Sequence, residues 1–238
     1  MNDPPPLDAR EVSRSYGRLV ALHDFSLTVA PGRCVALIGA NGSGKSTAMR
    51  TLAGLLAPTG GQVRIEGLDP HREPEAEQAR ARVAMVPDNP LLYGDLTVRE
   101  HVELVTVTHG HPGPDAQADI DALLERLGLE HRSDFRPAEL SRGMRQKAQL
   151  ACALIRPAAL LLLDEPVVGL DPPSQALLHE ILAERKAAGC AVVLTTHQLG
   201  FAEGLADQGV LLAEGEVADA GPYGEVASRA VAAGWGLA

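Results

Sequence analysis

The sequence predicts an α/β protein with a mainly parallel sheet, an N-terminal antiparallel β-region and an inserted helical subdomain. Three observations carry this prediction. Short continuous apolar runs at 34–38, 160–163 and 191–194 have the composition of strands buried on both faces, as a parallel sheet covered by helices requires. Residues 7–29 instead alternate apolar and polar positions, as in Phe25-Ser26-Leu27-Thr28-Val29, the pattern of an antiparallel strand with one solvated face. Residues 88–157 carry few strand signals and contain helical stretches at 120–127 and 144–155.

The elements follow in order. Pro31-Gly32 makes a turn into the strand 34–38, and a glycine-rich loop follows that strand. From Lys45 the apolar positions Met49, Leu52, Ala53 and Leu56 recur at helical spacing, and the helix closes near Pro58-Thr59-Gly60-Gly61. Alternation resumes at Val63-Arg64-Ile65, which predicts another strand. After the helical insertion, 160–163 and 191–194 read as parallel strands, each reached through a helical segment. Residues 210–217, interrupted at Glu214-Gly215, predict a terminal hairpin, and the last residues read as an Ala/Gly-rich tail. No repeat of fixed period is present, and 238 residues suit a single domain spanning 1–238 with a subdomain at 88–157.

Composition narrows the function. With 21 Lys and Arg against 31 Asp and Glu the net charge is −10, and there is no Lys/Arg-rich run, so a nucleic-acid partner is disfavoured. An uninterrupted apolar run such as 158–163 is far short of the roughly 20 residues that span a bilayer. The opening Asn2-Asp3-Pro4-Pro5-Pro6 lacks the basic start and apolar core of a secretory signal, so a cytoplasmic location is expected. Cys34, Cys152 and Cys190 are odd in number, far apart and set in apolar segments, which predicts buried reduced thiols.

Gly39-Ala40-Asn41-Gly42-Ser43-Gly44-Lys45-Ser46 fits the pattern G-x-x-x-x-G-K-[ST] in full, and Thr47 continues it. It sits between a buried strand and a helix, where backbone N–H groups and the helix N-terminus converge on an anion. Lys45 supplies a point charge toward β- and γ-phosphates, and the Ser46 hydroxyl is placed to ligate Mg²⁺. At the end of another buried strand stand Asp164 and Glu165, where ligands bind in open α/β sheets. Asp164 suits a Mg²⁺ position, and Glu165 suits a general base polarising an attacking water. An acidic pair can also simply cap a strand, but a phosphate loop in the same chain favours the catalytic reading.

With these motifs in hand, the chain resembles the ATP-binding cassette ATPases along essentially its whole length, and the order of the motifs carries the match. The resemblance implies a P-loop NTPase core with ATP and Mg²⁺ as cofactors. Leu140-Ser141-Arg142-Gly143-Met144 resembles a variant of the family signature, most often Leu-Ser-Gly-Gly-Gln. Taken alone, Ser141 is equally a plain helix N-cap. By resemblance, Ser141 and Gly143 contact the γ-phosphate of ATP held by a second cassette chain, identical or not, facing the first head to tail. Gly169-Leu170-Asp171 resembles the D-loop, with Val167-Val168 where small polar residues are common. His197 matches the switch histidine that contacts γ-phosphate, and Tyr16 the aromatic residue on which adenine stacks, with Val20 a possible neighbour. A tyrosine simply packed on the β-region is the bland alternative.

The segment 83–100 resembles the Q-loop and the start of the helical subdomain, but Asp88 stands where the family has glutamine. A carboxylate there can hold Mg²⁺ through water, or can merely stabilise the Asp-Asn-Pro turn. The resemblance implies the motor of a transporter, peripheral at the inner face of the cell membrane through a separate transmembrane permease subunit. The weaker alternatives are a soluble cassette ATPase acting outside transport and a nucleotide-binding regulator without turnover. Retention of Lys45, Asp164, Glu165 and His197 argues against the second of these.

Overall fold

The structure is a computed structural model that describes residues 3–109 and 114–234. In chain order the first elements are β1 (Leu7–Tyr16), β2 (Leu19–Val29), β3 (Cys34–Ile38), α1 (Lys45–Leu52), β4 (Gly60–Arg64), α2 (Ala76–Ala81) and β5 (Val83–Val86). Then come α3 (Val98–Thr108), α4 (Pro114–Arg126), α5 (Arg142–Leu154), β6 (Leu160–Asp164) and α6 (Pro172–Ala187). The chain closes with β7 (Ala191–Thr195), α7 (Leu199–Ala202), β8 (Gln208–Ala213), β9 (Glu216–Pro222) and α8 (Tyr223–Ala232). Two compact units result: one formed by 1–85, 158–165 and 179–238, the other by 86–157 and 166–178.

The first unit contains two sheets. In the smaller, β1 pairs antiparallel with both β2 and β4 in the order β2-β1-β4, and the alternating sequence turns Leu7, Ala9, Leu22, Phe25, Leu27 and Val29 into the core. In the larger the order is β5-β6-β7-β3-β8-β9, with β6, β7, β3 and β8 parallel and β9 antiparallel to β8. All five residues of β3, β6 and β7 are buried. That is why these strands read as unbroken apolar runs rather than as alternation. Cys34, Cys152 and Cys190 are free and buried.

Three readings of the sequence change. The helix from Lys45 stops at Leu52 instead of reaching Leu56, because Gly54 takes φ 77°, the left-handed conformation that ends helices, and Leu55 is left exposed. The terminal segment expected as an Ala/Gly-rich tail contains α8, which buries Tyr223, Val226 and Ala230 on one face. Its alanine composition hid that periodicity. The helix α2 and strand β5 were not anticipated, since four to six residues hold too little of either period to register.

In the second unit, helices α3, α4 and α5 bury Val98, Val102, Ile120, Leu124 and Leu150. Thr97 caps α3 reciprocally with Glu100: each side chain bonds the other residue's backbone N–H. Arg99 pairs with Asp121 at 2.7 Å. Among the described residues no helix is long and apolar enough to cross a membrane.

The base of the large sheet is tied by Asp207, just before β8. Its carboxylate accepts from the Cys34 backbone N–H at 2.8 Å, Arg33 at 3.0 Å and Lys186 at 2.9 Å, joining the starts of β3 and β8 to α6. Burial would raise its pKa, but these three partners together hold it below the usual aspartate value. A depressed folded pKa stabilises above the unfolded value and loses that contribution as pH falls through the folded one. Asp207→Asn should therefore destabilise the protein by about 1–2 kcal/mol at neutral pH. In thermal melts the difference from wild type should persist down to about pH 4 and shrink below it.

Candidate phosphate-binding and catalytic site

The chain leaves β3 through Gly39 and enters α1 at Lys45. Two glycines of the intervening loop are dictated by packing. A Cβ at Gly39 would lie 2.3 Å from the Leu212 carbonyl, and one at Gly44, where φ is 105°, would lie 2.6 Å from the Ala21 carbonyl. Gly42 faces open space but takes φ 81°, a backbone requirement rather than a steric one. The hairpin tip Glu214-Gly215 braces the loop from behind: the Gly215 N–H donates to the Ser43 carbonyl at 3.0 Å, and the Gly215 carbonyl accepts from His23 at 2.8 Å.

Within the loop the Lys45 ammonium curls back to donate to the carbonyls of Gly39 at 2.7 Å and Ala40 at 3.0 Å. Burial lowers its pKa, opposed by the carboxylates of Glu165 and Asp164. Gly44 offers α1 no side-chain cap, and the first turn holds no acidic residue. The Ser43 hydroxyl is buried without a hydrogen-bond partner. A lysine, an uncapped helix start and an orphaned hydroxyl are what a bound phosphate chain satisfies. Ser46 and Thr47 are half-buried in the first turn of α1, while Asn41 is exposed.

The acidic strand end meets the histidine turn. Asp164 is 1% exposed, a cost that a buried carboxylate bears only if bonded, and Thr195 donates to its Oδ1 at 2.6 Å. Glu165 follows with φ 51°, a left-handed conformation unusual outside glycine. Its N–H donates to Thr195 Oγ1 at 2.9 Å. Gln198 N–H donates to Thr196 Oγ1 at 2.9 Å, folding the chain back after β7 so that His197 meets Glu165. The His197 N–H donates to Glu165 Oε2 at 3.2 Å, and the ring Nε2 lies 3.2 Å from Oε1. Oε1 has no aligned hydrogen-bond donor, so the ring contact is electrostatic. Burial raises the pKa of Glu165, with His197 and then Lys45 opposing it.

No group of three or more His, Cys, Asp or Glu able to hold a metal occurs among the described residues. Mg²⁺ typically binds through one or two protein oxygens and completes its shell with phosphate and water. Of the residues that the sequence offers for Mg²⁺, Ser46 and Asp164 belong to this unit and Asp88 to the other.

Tyr16 is 45% exposed at the turn end of the β1–β2 hairpin, where it pairs with Leu19, with Arg14 stacked 4.8 Å from its ring centre and itself anchored to the Ala57 carbonyl at 2.8 Å. Its neighbours Leu19 and Val20 are exposed too, and Ala21, next in β2, is the residue packed on Gly44. The hairpin end therefore lies beside the loop.

The first unit thus brings together Tyr16, the loop 39–47, Asp164, Glu165 and His197. Ser141, Gly143 and Asp88 lie in the second unit. There Ser141 caps α5, accepting from the Met144 N–H at 3.2 Å, a cap typically worth about 1 kcal/mol. Gly143 has a further role that its sequence did not disclose, since a Cβ there would stand 2.5 Å from the Gly169 carbonyl. Gly143 and Gly169 are therefore packed backbone to backbone. Asp171 accepts from the Ser174 N–H at 3.1 Å, capping α6. Both carboxylate oxygens of Asp88 accept from Asn89, at 2.9 Å from its backbone N–H and 3.0 Å from its side-chain amide. Thr195 was missed at the level of sequence, since a threonine ending a buried strand carries no motif.

A parallel sheet bearing a lysine-containing phosphate loop beside an acidic strand end defines a nucleoside-triphosphatase. The chain belongs to the ABC transporter family, whose sequence pattern matches residues 22–168. It is 35% identical to the ABC-type transporter ATP-binding protein EcsA of Bacillus subtilis, over 92% of this chain and 88% of that protein. It is 38% identical to the Nod factor export ATP-binding protein I of Paraburkholderia xenovorans, over 92% and 72% respectively. Its fold superposes, with a TM-score of 0.83 and 25% identity over 91% of this chain and 98% of the other, on the dimeric post-hydrolysis ATP-binding cassette MJ0796 bound to ADP and Pi. The protein is accordingly an ATP-binding ABC ATPase.

A side chain at Gly44 would meet both a forbidden φ and the Ala21 carbonyl. Gly44→Ala should weaken ATP binding at least about tenfold, since each 1.4 kcal/mol of strain on the loop is a decade in affinity. Titration with a fluorescent ATP analogue reads this directly, and unchanged affinity would show that the loop tolerates the displacement.

Proposed function

We propose that this ATPase is the cytoplasmic, Mg²⁺-dependent motor of a transporter whose membrane-spanning part is a separate permease, and that two cassette chains act together. The observation that carries this reading is the convergence of Lys45, Asp164, Glu165 and His197 in one compact unit behind a glycine loop. The names of the relatives support it: EcsA is called a transporter ATP-binding protein, and the protein from Paraburkholderia an export ATP-binding protein. The dimeric state of the MJ0796 cassette supports pairing of two chains.

In this reading 1–238 is a single ABC ATPase domain and 88–157 its signature subdomain. Residues 39–47 wrap the phosphates, with Lys45 releasing its two carbonyls in favour of phosphate oxygens. Tyr16 offers its exposed ring to adenine, a stack worth about 1–3 kcal/mol per base. When bound by Ser46 and Asp164, Mg²⁺ supplies neutralisation of phosphate charge. Glu165 takes a proton from the water whose oxygen bonds to the γ-phosphorus as the bond to the β-phosphate oxygen breaks, giving ADP and Pi. The raised pKa of Glu165 makes it a stronger base than an exposed carboxylate. His197 keeps that carboxylate oriented and is placed to turn toward γ-phosphate. Ser141 and Gly143 serve the nucleotide of the facing protomer. For Asp88 the engagement of both oxygens with Asn89 favours the turn role over a metal role.

Glu165→Gln should lower turnover by about 10²–10⁴-fold while leaving ATP affinity intact. The variant should accumulate an ATP-held dimer on a sizing column and, from detergent-solubilised membranes, bring down a membrane-spanning partner. Turnover within about twofold of wild type would remove Glu165 as the base. A monomer at saturating ATP with no membrane partner would favour a soluble cassette ATPase. Lys45→Ala should instead weaken ATP binding itself.

A further inference from the structure

The Thr195 hydroxyl is buried at 0% exposure between the two acidic residues of the site, and its hydrogen-bond capacity is directed at both. The ladder explains how it comes to stand there. Thr195 is the last residue of β7 and pairs in register with Asp164 of β6 on one side and Leu37 of β3 on the other. Glu165 then turns out of the strand with φ 51°, so its N–H leaves the direction of the ladder. The Thr195 oxygen receives that N–H at 2.9 Å and sends its single proton to Asp164 Oδ1 at 2.6 Å. A hydroxyl has one donor and two acceptor positions, so these two bonds are compatible and define its rotamer.

We infer that Thr195 is a positioning residue for ATP hydrolysis, locking the Asp164 carboxylate and the Glu165 backbone into one unit. Donation to Oδ1 assigns Asp164 the acceptor role at that oxygen and leaves Oδ2 free for a cation or its water. Capture of the Glu165 N–H holds the left-handed turn from which the Glu165 side chain reaches His197. The same hydroxyl thereby sets the spacing between the carboxylate proposed for Mg²⁺ and the carboxylate proposed as base. Valine in its place would leave the Glu165 N–H and Asp164 Oδ1 without a partner while keeping the packing.

This inference rests on the roles proposed for Asp164 and Glu165, and its test separates the two. Thr195→Val removes both bonds, and Thr195→Ser keeps both. The valine variant should lose kcat by about 10–10²-fold, as misplacement of catalytic groups does. Its KM for ATP should change less than about threefold, because the phosphate loop is untouched. The gain in nucleotide affinity on adding Mg²⁺, read with a fluorescent ATP analogue in Mg²⁺ against EDTA, should shrink in the valine variant and return in the serine variant. Serine should also restore kcat to within about threefold of wild type. If the valine variant does not fold, Thr195→Cys takes its place with the same expectation, a thiol being a weak donor and acceptor. A folded valine or cysteine variant with wild-type kcat and Mg²⁺ response overturns the inference, as does a serine variant no better than either. Asp164→Asn and Glu165→Gln run beside them: normal turnover in those two rejects the reading of the site itself. If both are inactive while Thr195→Val is active, only the role of Thr195 falls.

Discussion

Three parallel strands leave the large sheet at the same level because their ladders are in register, and everything the site does depends on that alignment. Strand β7 lies between β3 and β6, and Thr195 is paired with Leu37 on one side and Asp164 on the other. One residue beyond Leu37 the phosphate loop is about to begin, one beyond Asp164 stands Glu165, and two beyond Thr195 stands His197. Parallel pairing places these chain ends side by side although they are far apart in sequence. A slip of one residue in either ladder would reverse the faces of the strand and separate the groups.

The same ends are where the sheet stops satisfying its own polar groups. Inside β6 only Asp164 is charged, and it is as buried as the leucines before it. It is held by a hydroxyl from the neighbouring strand, and the backbone that follows it enters a strained conformation also anchored on that hydroxyl. Opposite, Lys45 is buried against two carbonyls of its own loop. Buried ions of opposite sign, each bonded locally, leave a polar region suited to an anionic substrate.

Glycines do different work at different points of this architecture. Gly39 and Gly44 are required by carbonyls of β8 and by Ala21 of β2, so two strands press on the loop from outside. Gly143 is required by the Gly169 carbonyl, which joins the start of α5 to the loop that follows Glu165 in the chain. A motif read as a phosphate cradle or a signature is thus also a record of how closely its neighbours approach.

The phosphate loop, the acidic pair, the buried strands and the terminal hairpin were legible in the sequence because each is local. A turn needs its glycines, a helix its cap, and a strand buried on both faces its unbroken apolar run, whatever the rest of the chain does. Short elements such as α2 and β5 were not legible, because four to six residues carry too little periodicity. The helix α8 was not legible because its alanines disguise a buried face. For Asp88 the sequence left two readings open, and the packing of its carboxylate on Asn89 favours one of them. What tertiary structure alone decided is the meeting of distant residues: Thr195 with Asp164 and Glu165, Gly215 with Ser43, Gly143 with Gly169. Such contacts follow from the register of the strands and from how closely loops and helix ends pack on their neighbours, and neither is written in the spacing of residues along a single segment.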